Sequence, residues 1–512
     1  MSSMSVQIEL TPRAKSAVTL AVMLAAIMQM LDTTIANVAL PHMQGSLSAT
    51  QDQLAWVLTS YIVASAIMTL PIGWLSGRYG RKNIFVISIA GFTLTSLLCG
   101  AASSLNEMIA FRILQGLFGA ALVPLSQAIM LDINPKEDHG KAMAMWAVSI
   151  MIGPILGPTL GGFLTEYYSW RWVFYINLPF GAVVLFIILS LMPETEREER
   201  PFDGLGFFAL AMFIASIQLI LDRGHHLDWL DSLEIQIYCT AVLASLWVYV
   251  VHTRTAKNPF IPPAILRDRN FATALVFMFF IGLILLATMA LLPNYLQNIM
   301  GYPVFDVGTI LAPRGLGTML SMFLLGKYGH RFDPRALVFF GLSVTAYSLS
   351  LMVEFDTFVP ANLIISTGFM QGFGLGFVFM PLSILAYLTL EPKYRAEAAG
   401  LFSLVRNFGS SIGVSVAFVL LARGVQTQHA YLGENITPYV TSMGLQQLPQ
   451  IFHNEAISGL MLLDMEINRQ AATIAYLNDF KLMMWVVLAM LPMVLLLRAP
   501  DKESAATATG NT

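Results

Sequence analysis

Charge is what this sequence has least of. Of its 512 residues only 12% are Asp, Glu, Lys or Arg, against about 25% in soluble domains. With 56% hydrophobic residues and a mean hydropathy of +0.68, the deficit runs the whole length and excludes an ordinary soluble protein. A net charge of -3 offers no basic surface for nucleic acid. Cysteine is nearly absent. Cys99 and Cys239 both lie in apolar runs and read as packed or lipid-facing thiols, not as a disulfide or a metal pair. No Walker-type loop occurs, which argues against ATP as the energy source. "GFGLGF" (Gly372–Phe377) sits inside an apolar run with no strand before it and no Lys-Ser/Thr after it. His, Asp and Glu do not cluster at a membrane face as an embedded enzyme would require, and His225-His226 would need further ligands to hold a metal. No catalytic residue, metal or cofactor is therefore expected. Arg13 and Lys15 precede an apolar run without a small-residue cleavage site, so a retained first membrane helix is expected instead of a signal peptide.

What is abundant is apolar run. A membrane helix takes roughly 20 mostly apolar residues. Fourteen such stretches are expected: 17–39, 55–75, 84–103, 107–130, 142–165, 172–192, 203–221, 233–252, 271–292, 306–326, 336–353, 361–388, 398–421 and 480–498. The basic residues orient them. With the amino terminus cytoplasmic, twenty Lys and Arg fall on the inner side and five on the outer side, Arg171, Arg223, Arg423, Arg469 and Lys481. Both termini are then cytoplasmic. Three arginines remain inside apolar runs, Arg112, Arg314 and Arg406.

The chain also repeats itself. "LSGRYGRKN" (Leu75–Asn83) returns as "LLGKYGHRF" (Leu324–Phe332), and "ALPHMQ" (Ala39–Gln44) as "LLPNYLQ" (Leu291–Gln297). "LQGLFGAALVPLS" (Leu114–Ser126) matches "MQGFGLGFVFMPLS" (Met370–Ser383), which pairs Gln115 with Gln371. Gly153 and Gly157 answer to Gly409 and Gly413. Offsets of 249 to 257 residues throughout mark an internal duplication. The expected fold is an all-α polytopic membrane protein of two parallel six-helix repeats with two helices spliced between. Transporters with two rocking halves are built this way, with the substrate site between the halves. The expected divisions are 1–192, the inserted pair 193–270, the second half 271–498 and a tail 499–512, with 422–479 a long outer segment.

The same residues resemble the major facilitator superfamily, and within it the fourteen-helix drug:proton antiporters of the EmrB/QacA type. "GWLSGRYGRK" (Gly73–Lys82) is similar to the family's motif A, a gating loop here carrying Gly73, Gly77, Arg78, Gly80 and Arg81. "RILQGLFGA" (Arg112–Ala120) is similar to motif B. "GPILGPTLGG" is similar to motif C, the antiporter signature, with Gly153, Pro154, Gly157, Pro158, Gly161 and Gly162. "LDTTIANVALP" (Leu31–Pro41) and "WRWVFYINLPFG" (Trp170–Gly181) resemble two motifs of the drug-exporting branches. One departure stands out: Gly77 replaces the motif A Asp, which in the family joins a charge cluster that locks the outward-facing state.

The resemblance implies an exporter of hydrophobic, drug-like or weakly acidic molecules across the inner membrane, driven by the proton gradient. A dedicated exporter of one metabolite, such as a siderophore or amino acid, is the alternative. Its small-molecule substrates would meet the protein within the lipid bilayer. A proton-driven carrier needs an intramembrane carboxylate, and Asp32 is the one well inside an apolar run. A charge there costs about 2.5–3.5 kcal/mol and marks an ion pathway or a buried pair. Capping by Thr33, Thr34 or Asn37 is the structural alternative. Arg112, which the resemblance ties to proton coupling, would hold a nearby carboxylate ionised. The counterpart of Arg112 is Gly368, and that of Asp32 lies near Ile284, so the charged machinery is one-sided. Arg314, Arg406, Gln115 and Gln371 are the substrate candidates. The two arginines favour anionic ligands, or else pair with helix ends or with Asp32.

"GPILGPTLGG" reads as a close-packing stripe with freed carbonyls at its prolines, a packed hinge. After His453, capped by Asn454, the apolar positions Ile457, Leu460, Met461, Ile467, Ala471 and Ile474 form a helical stripe. The last membrane helix is therefore expected to begin well before the bilayer, or to follow an amphipathic helix. That segment is either a lid or, as the resemblance implies, a dock for a periplasmic adaptor leading to an outer-membrane channel.

Overall fold

The computed structural model describes residues 11–434 and 457–498, apart from 136–137, 195–196, 198–200, 225–226, 228, 257–258 and 391–393. His225-His226, Asn454 and the tail 499–512 lie outside the described residues. Among the described residues the regular elements are all helical. They run α1 (Pro12–Ser46), α2 (Gln51–Thr69), α3 (Ile72–Tyr79), α4 (Arg81–Ala101), α5 (Leu105–Gly119), α6 (Leu122–Asp132), α7 (His139–Tyr167), α8 (Trp172–Tyr175) and α9 (Asn177–Leu191). Then follow α10 (Gly204–Arg223), α11 (Leu233–Thr255), α12 (Pro263–Arg267), α13 (Arg269–Asn298), α14 (Val304–Tyr328), α15 (Pro334–Val353), α16 (Ala361–Leu388), α17 (Arg395–Glu434) and α18 (Ile457–Met493).

Polar residues set where these helices start. Thr50 and Gln53 close a reciprocal capping box on α2. Ser104, Asp203 and Asp268 accept the first free amides of α5, α10 and α13. Breaks interrupt two of the apolar runs. Pro71, which has no amide to donate, lies at the 55° bend between α2 and α3. The break between α5 and α6 frees the amide of Val123, and buried Gln29 of α1 accepts it at 3.0 Å.

Twelve helices among the described residues are long and apolar enough to cross a membrane, or thirteen if the bent pair is one span. The expected count of fourteen included 142–165, which falls in the 29-residue α7, where several side chains are outside the description. One boundary differs from expectation and another agrees with it. The thirteenth stretch does not stop at 421: α17 continues to Glu434. The last helix begins at Ile457, and so well before its apolar run, as the stripe suggested. The two extensions pack side by side, with His429 and Asp464 3.0 Å apart. Much of 422–479 is thus a helical pair projecting from the bundle, not a loop; residues 435–456 lie outside the description.

The two halves use one packing device. In α7, Gly153 and Gly157 bring the backbone against Met30, Leu31 and Thr34 of α1, and Thr34 donates to the Gly153 carbonyl at 3.3 Å. In α17, Gly409 and Gly413 do the same against Phe279 and Leu283 of α13. A methyl group on any of the four would overlap its neighbour. Gly161 and Gly162 continue the α7 stripe, their carbonyls accepting from Thr165 at 2.8 and 3.1 Å. Pro154 and Pro158 lie within α7, with side chains outside the description.

One apolar core joins residues of α13 to α18 with Leu210 and Ile214 of α10; two others lie in the first nine helices. The halves meet at the end of the bundle that carries the basic turns. There Met322 of α14 joins the first-half core, Phe379 touches both cores, and Gly400 of α17 faces the carbonyls of Thr69 and Leu70. The inserted helix α10 bridges the halves toward the opposite end: Arg223 stacks on Trp56 of α2, 4.9 Å away, and Ser415 of α17 donates to the Leu221 carbonyl at 2.9 Å. Its companion α11 turns Leu243 and Trp247 outward, both about 70% exposed, as a lipid-facing helix does.

The glycines predict opposite outcomes. No atom lies within 4 Å of a Cβ added at Gly77, so Gly77→Asp should change detergent stability by no more than about 0.5 kcal/mol. Gly157→Leu must push α1 away from α7 and should cost at least about 1–3 kcal/mol. Thermal unfolding of the two purified variants checks both.

Candidate functional site

The first half encloses one fully buried charge pair. Asp32 sits in the middle of α1 and Arg112 two turns into α5, both with no solvent exposure. Arg112 Nη1 donates to Asp32 Oδ2 at 2.7 Å. Gln115 lies one turn on from Arg112, so both side chains reach the same neighbour. Its Nε2 donates to Asp32 Oδ1 at 2.9 Å, and its Oε1 accepts from Arg112 at 2.8 Å. Asn177, the first residue of α9, adds a third donor to Asp32 Oδ1 at 3.1 Å and a second bond to Ser96 at 3.0 Å. Arg112 Nε donates to the Val57 carbonyl at 3.0 Å, and the guanidinium lies 4.1 Å from the Tyr61 ring. Five helices of the first half, α1, α2, α4, α5 and α9, converge on one carboxylate.

Thr33, Thr34 and Asn37, the expected local caps, do not touch Asp32; each donates to backbone carbonyls instead. Asn177, Ser96, Tyr61 and the Val57 carbonyl went unrecognised as members of the site. Asn177 did lie inside the quoted "WRWVFYINLPFG". That segment is pinned by Arg171, which donates to the Gly100 and Ala102 carbonyls at 2.7 Å each, and by Trp170, which donates to Ser46 at 2.7 Å. These bonds carry Asn177 to the mouth of α9.

The second half holds a different set. Arg314, 9% exposed, donates through Nη2 to Thr288 at 2.8 Å and to the Leu285 carbonyl at 3.4 Å. It pairs with no carboxylate among the described residues, so the expected alternative of a bond to Asp32 is not realised. Gln371 is fully buried, and neither Nε2 nor Oε1 has a partner. Arg406, grouped with Arg314 by its position in an apolar run, instead reaches its neighbour Asn407 at 3.4 Å. Asp479 of α18 is a further buried carboxylate, with Oδ2 unpartnered. It escaped notice because it stands one residue outside the apolar run at 480.

The basic turn is a joint between helices. Gly80 takes a left-handed φ of +87° between α3 and α4. Arg81 pairs with Asp132 at the end of α6, and Lys82 donates to the Leu189 carbonyl of α9 at 3.3 Å. Gly73 and Arg78 lie in α3, which packs against α17 of the other half.

Buried pairs break asymmetrically. Removing one charge strands the other at a cost of about 3–5 kcal/mol, whereas removing both spares that penalty. Asp32→Asn alone should therefore destabilise the protein more than Asp32→Asn with Arg112→Gln. A double-mutant cycle on unfolding in detergent should return a coupling of at least about 2 kcal/mol.

Comparison with known proteins accords with this architecture. The Major Facilitator Superfamily profile matches residues 22–414. The multidrug export protein EmrB of Escherichia coli strain K12 is 34% identical over 426 residues, 82% of this chain and 83% of EmrB. The fatty acid resistance protein FarB of Neisseria gonorrhoeae is 34% identical over 433 residues, 83% and 84% of the two chains. Among solved structures, the proton:xylose symporter XylE superposes with a TM-score of 0.58 at 14% identity, covering 94% of this chain and 96% of XylE, a likeness of fold alone. This chain, a multi-pass membrane protein, belongs to the Major Facilitator Superfamily.

Proposed function

We propose that the protein is a proton-coupled antiporter that exports hydrophobic, drug-like or weakly acidic small molecules across the inner membrane, with both termini in the cytoplasm. The observation that carries this reading is the solvent-free Asp32–Arg112 pair inside a membrane bundle. An arginine stays protonated, so the proton that moves is the one on Asp32. Protonation turns the ion pair into a neutral acid beside a cation and weakens the bond that holds α1 to α5. The same stretch of α1, Met30 to Thr34, carries the glycine contact to α7, and α7 packs against α14 of the second half. A change at Asp32 therefore has a short mechanical route across the seam. Residues 1–192 and 271–498 are the rocking halves, 193–270 the inserted pair, and the turn from Gly73 to Lys82 a gate. The proton gradient is the sole energy source, and the protein is a carrier, not an enzyme. The names of relatives in several bacteria, multidrug export protein EmrB and fatty acid resistance protein FarB among them, support export and a mixed substrate range.

Everted vesicles loaded by an imposed proton gradient test this. Wild type should accumulate dye and lose it on addition of an uncoupler. Asp32→Asn should fall to background, and Arg112→Lys should too, because a point charge does not reproduce the planar fork that bonds Asp32, Gln115 and Val57 together. Gradient-driven transport at the wild-type rate by well-expressed Asp32→Asn would overturn the coupling role.

The projecting pair formed by the ends of α17 and α18 is proposed as the dock for a periplasmic adaptor and, through it, an outer-membrane channel. Tyr431, Met461 and Met465 are each more than 60% exposed there. Deleting 425–470 should abolish co-purification of the adaptor while vesicle transport survives. Unchanged adaptor affinity would reject the dock.

A further inference from the structure

The duplication makes the second half a control for the first, and the comparison exposes an incomplete site. Gln115 and Gln371 occupy matching positions, as do Arg112 and Gly368 at the same 256-residue offset. In the first half Gln115 is fully employed by Asp32 and Arg112. In the second half both polar ends of Gln371 are buried without a partner. Where the first half places a guanidinium from the fourth helix of the repeat, Gly368 leaves room, and a cation arrives from another helix. A Cβ on Gly368 would stand 3.9 Å from the Cβ of Arg314. Gln371 lies one turn from Gly368 on the same stripe of α16. Where the first half supplies the anion from α1, the matching stretch of α13 around Ile284 supplies none; Thr288, one turn further on, offers only a hydroxyl to Arg314.

The second half thus keeps a buried cation and a buried amide but has no carboxylate on the α13 stretch that matches Asp32; its buried carboxylate, Asp479, stands on α18 and makes no bond to Arg314. Burying a guanidinium with only neutral partners, and an amide with none, is costly. The Nε and Nη1 donors of Arg314 have no partner among the described residues. A carboxylate entering here would receive a guanidinium and an amide, the same donor types that Arg112 and Gln115 present to Asp32. The surroundings, Ile284, Ile310 and Leu375, are buried and apolar and suit a hydrocarbon body. We propose that Arg314, Thr288 and Gln371 form a subsite that takes the carboxylate of an amphiphilic acid, the ligand standing in for the missing counterpart of Asp32. The assignment deepens the export reading and rests on it for its role in transport.

The test is binding to the purified full-length protein by isothermal titration, with decanoate and decanamide as a matched pair. Wild type should prefer decanoate by about tenfold or more, the worth of one charge-assisted bond. Arg314→Gln should erase that preference by weakening decanoate at least about tenfold and decanamide far less; Arg314→Lys should keep part of it. Arg335→Gln, which removes a half-exposed cation at the start of α15 paired with Asp333, should keep all of it. Gln371→Leu should weaken decanoate several-fold and decanamide less, which tests the site even if Arg314→Gln fails to fold. No preference in wild type, or a full preference in folded Arg314→Gln, would overturn the subsite. Proton-driven efflux of a cationic dye from proteoliposomes keeps the two readings apart. Efflux absent in wild type beside intact decanoate preference would reject antiport and leave the subsite standing.

Discussion

Everything in the first half is arranged around one buried ion pair. A carboxylate and a guanidinium out of water each carry a desolvation penalty of several kcal/mol, recovered only with good geometry and satisfied hydrogen bonds. Asp32 receives three side-chain donors and Arg112 gives to a carboxylate, an amide and a carbonyl. Supplying them takes the unbroken middle of α1, the register of α5, the second and third turns of α2 and the precise start of α9. That last requirement explains the Trp- and Arg-rich segment before α9, whose own bonds to Ser46, Gly100 and Ala102 decide where Asn177 points.

The pair gains its reach from glycine. Close approach of α7 to α1 occurs at Gly153 and Gly157, opposite the turns of α1 that flank Asp32. An event at the carboxylate and a shift of the half interface therefore share one stretch of backbone. The second half repeats the packing, with Gly409 and Gly413 against α13, but not the charge. The duplicated halves share the packing frame and differ in the chemistry: an acid paired with its cation in one, a cation bonded only to a hydroxyl and a carbonyl in the other. Two halves can share a frame and differ in chemistry, since close packing demands the same small residues in both.

Much of this was legible in the residues. Apolar length, the basic bias of one side and the repeat together specify an all-helical membrane bundle of two related halves, because a bilayer permits so few solutions for the backbone. Asp32 and Arg112 stood out for the same reason: a charge in an apolar run needs a purpose or a partner. Boundaries were less legible. The continuation of α17 to Glu434 is polar on average, and there it packs against the early turns of α18, with His429 beside Asp464. Hydropathy registers composition and cannot see that partner.

What the sequence by itself determined is the class of the fold, its duplication and the small set of intramembrane polar residues, since each follows from the cost of exposing backbone or charge to hydrocarbon. What only the tertiary structure decided is which of those residues meet. Asp32 and Arg112 are 80 positions apart, and Asn177 lies 145 positions from Asp32; no periodicity links them. Arg314 and Arg406 looked alike in their apolar runs, yet the guanidinium of one bonds Thr288 across to α13 and that of the other bonds Asn407, the next residue in its own helix. Which of the two finds a polar side-chain partner on α13 depends on helix rotation, and helix rotation is set by the packing of whole surfaces, not by the residue that rides on them.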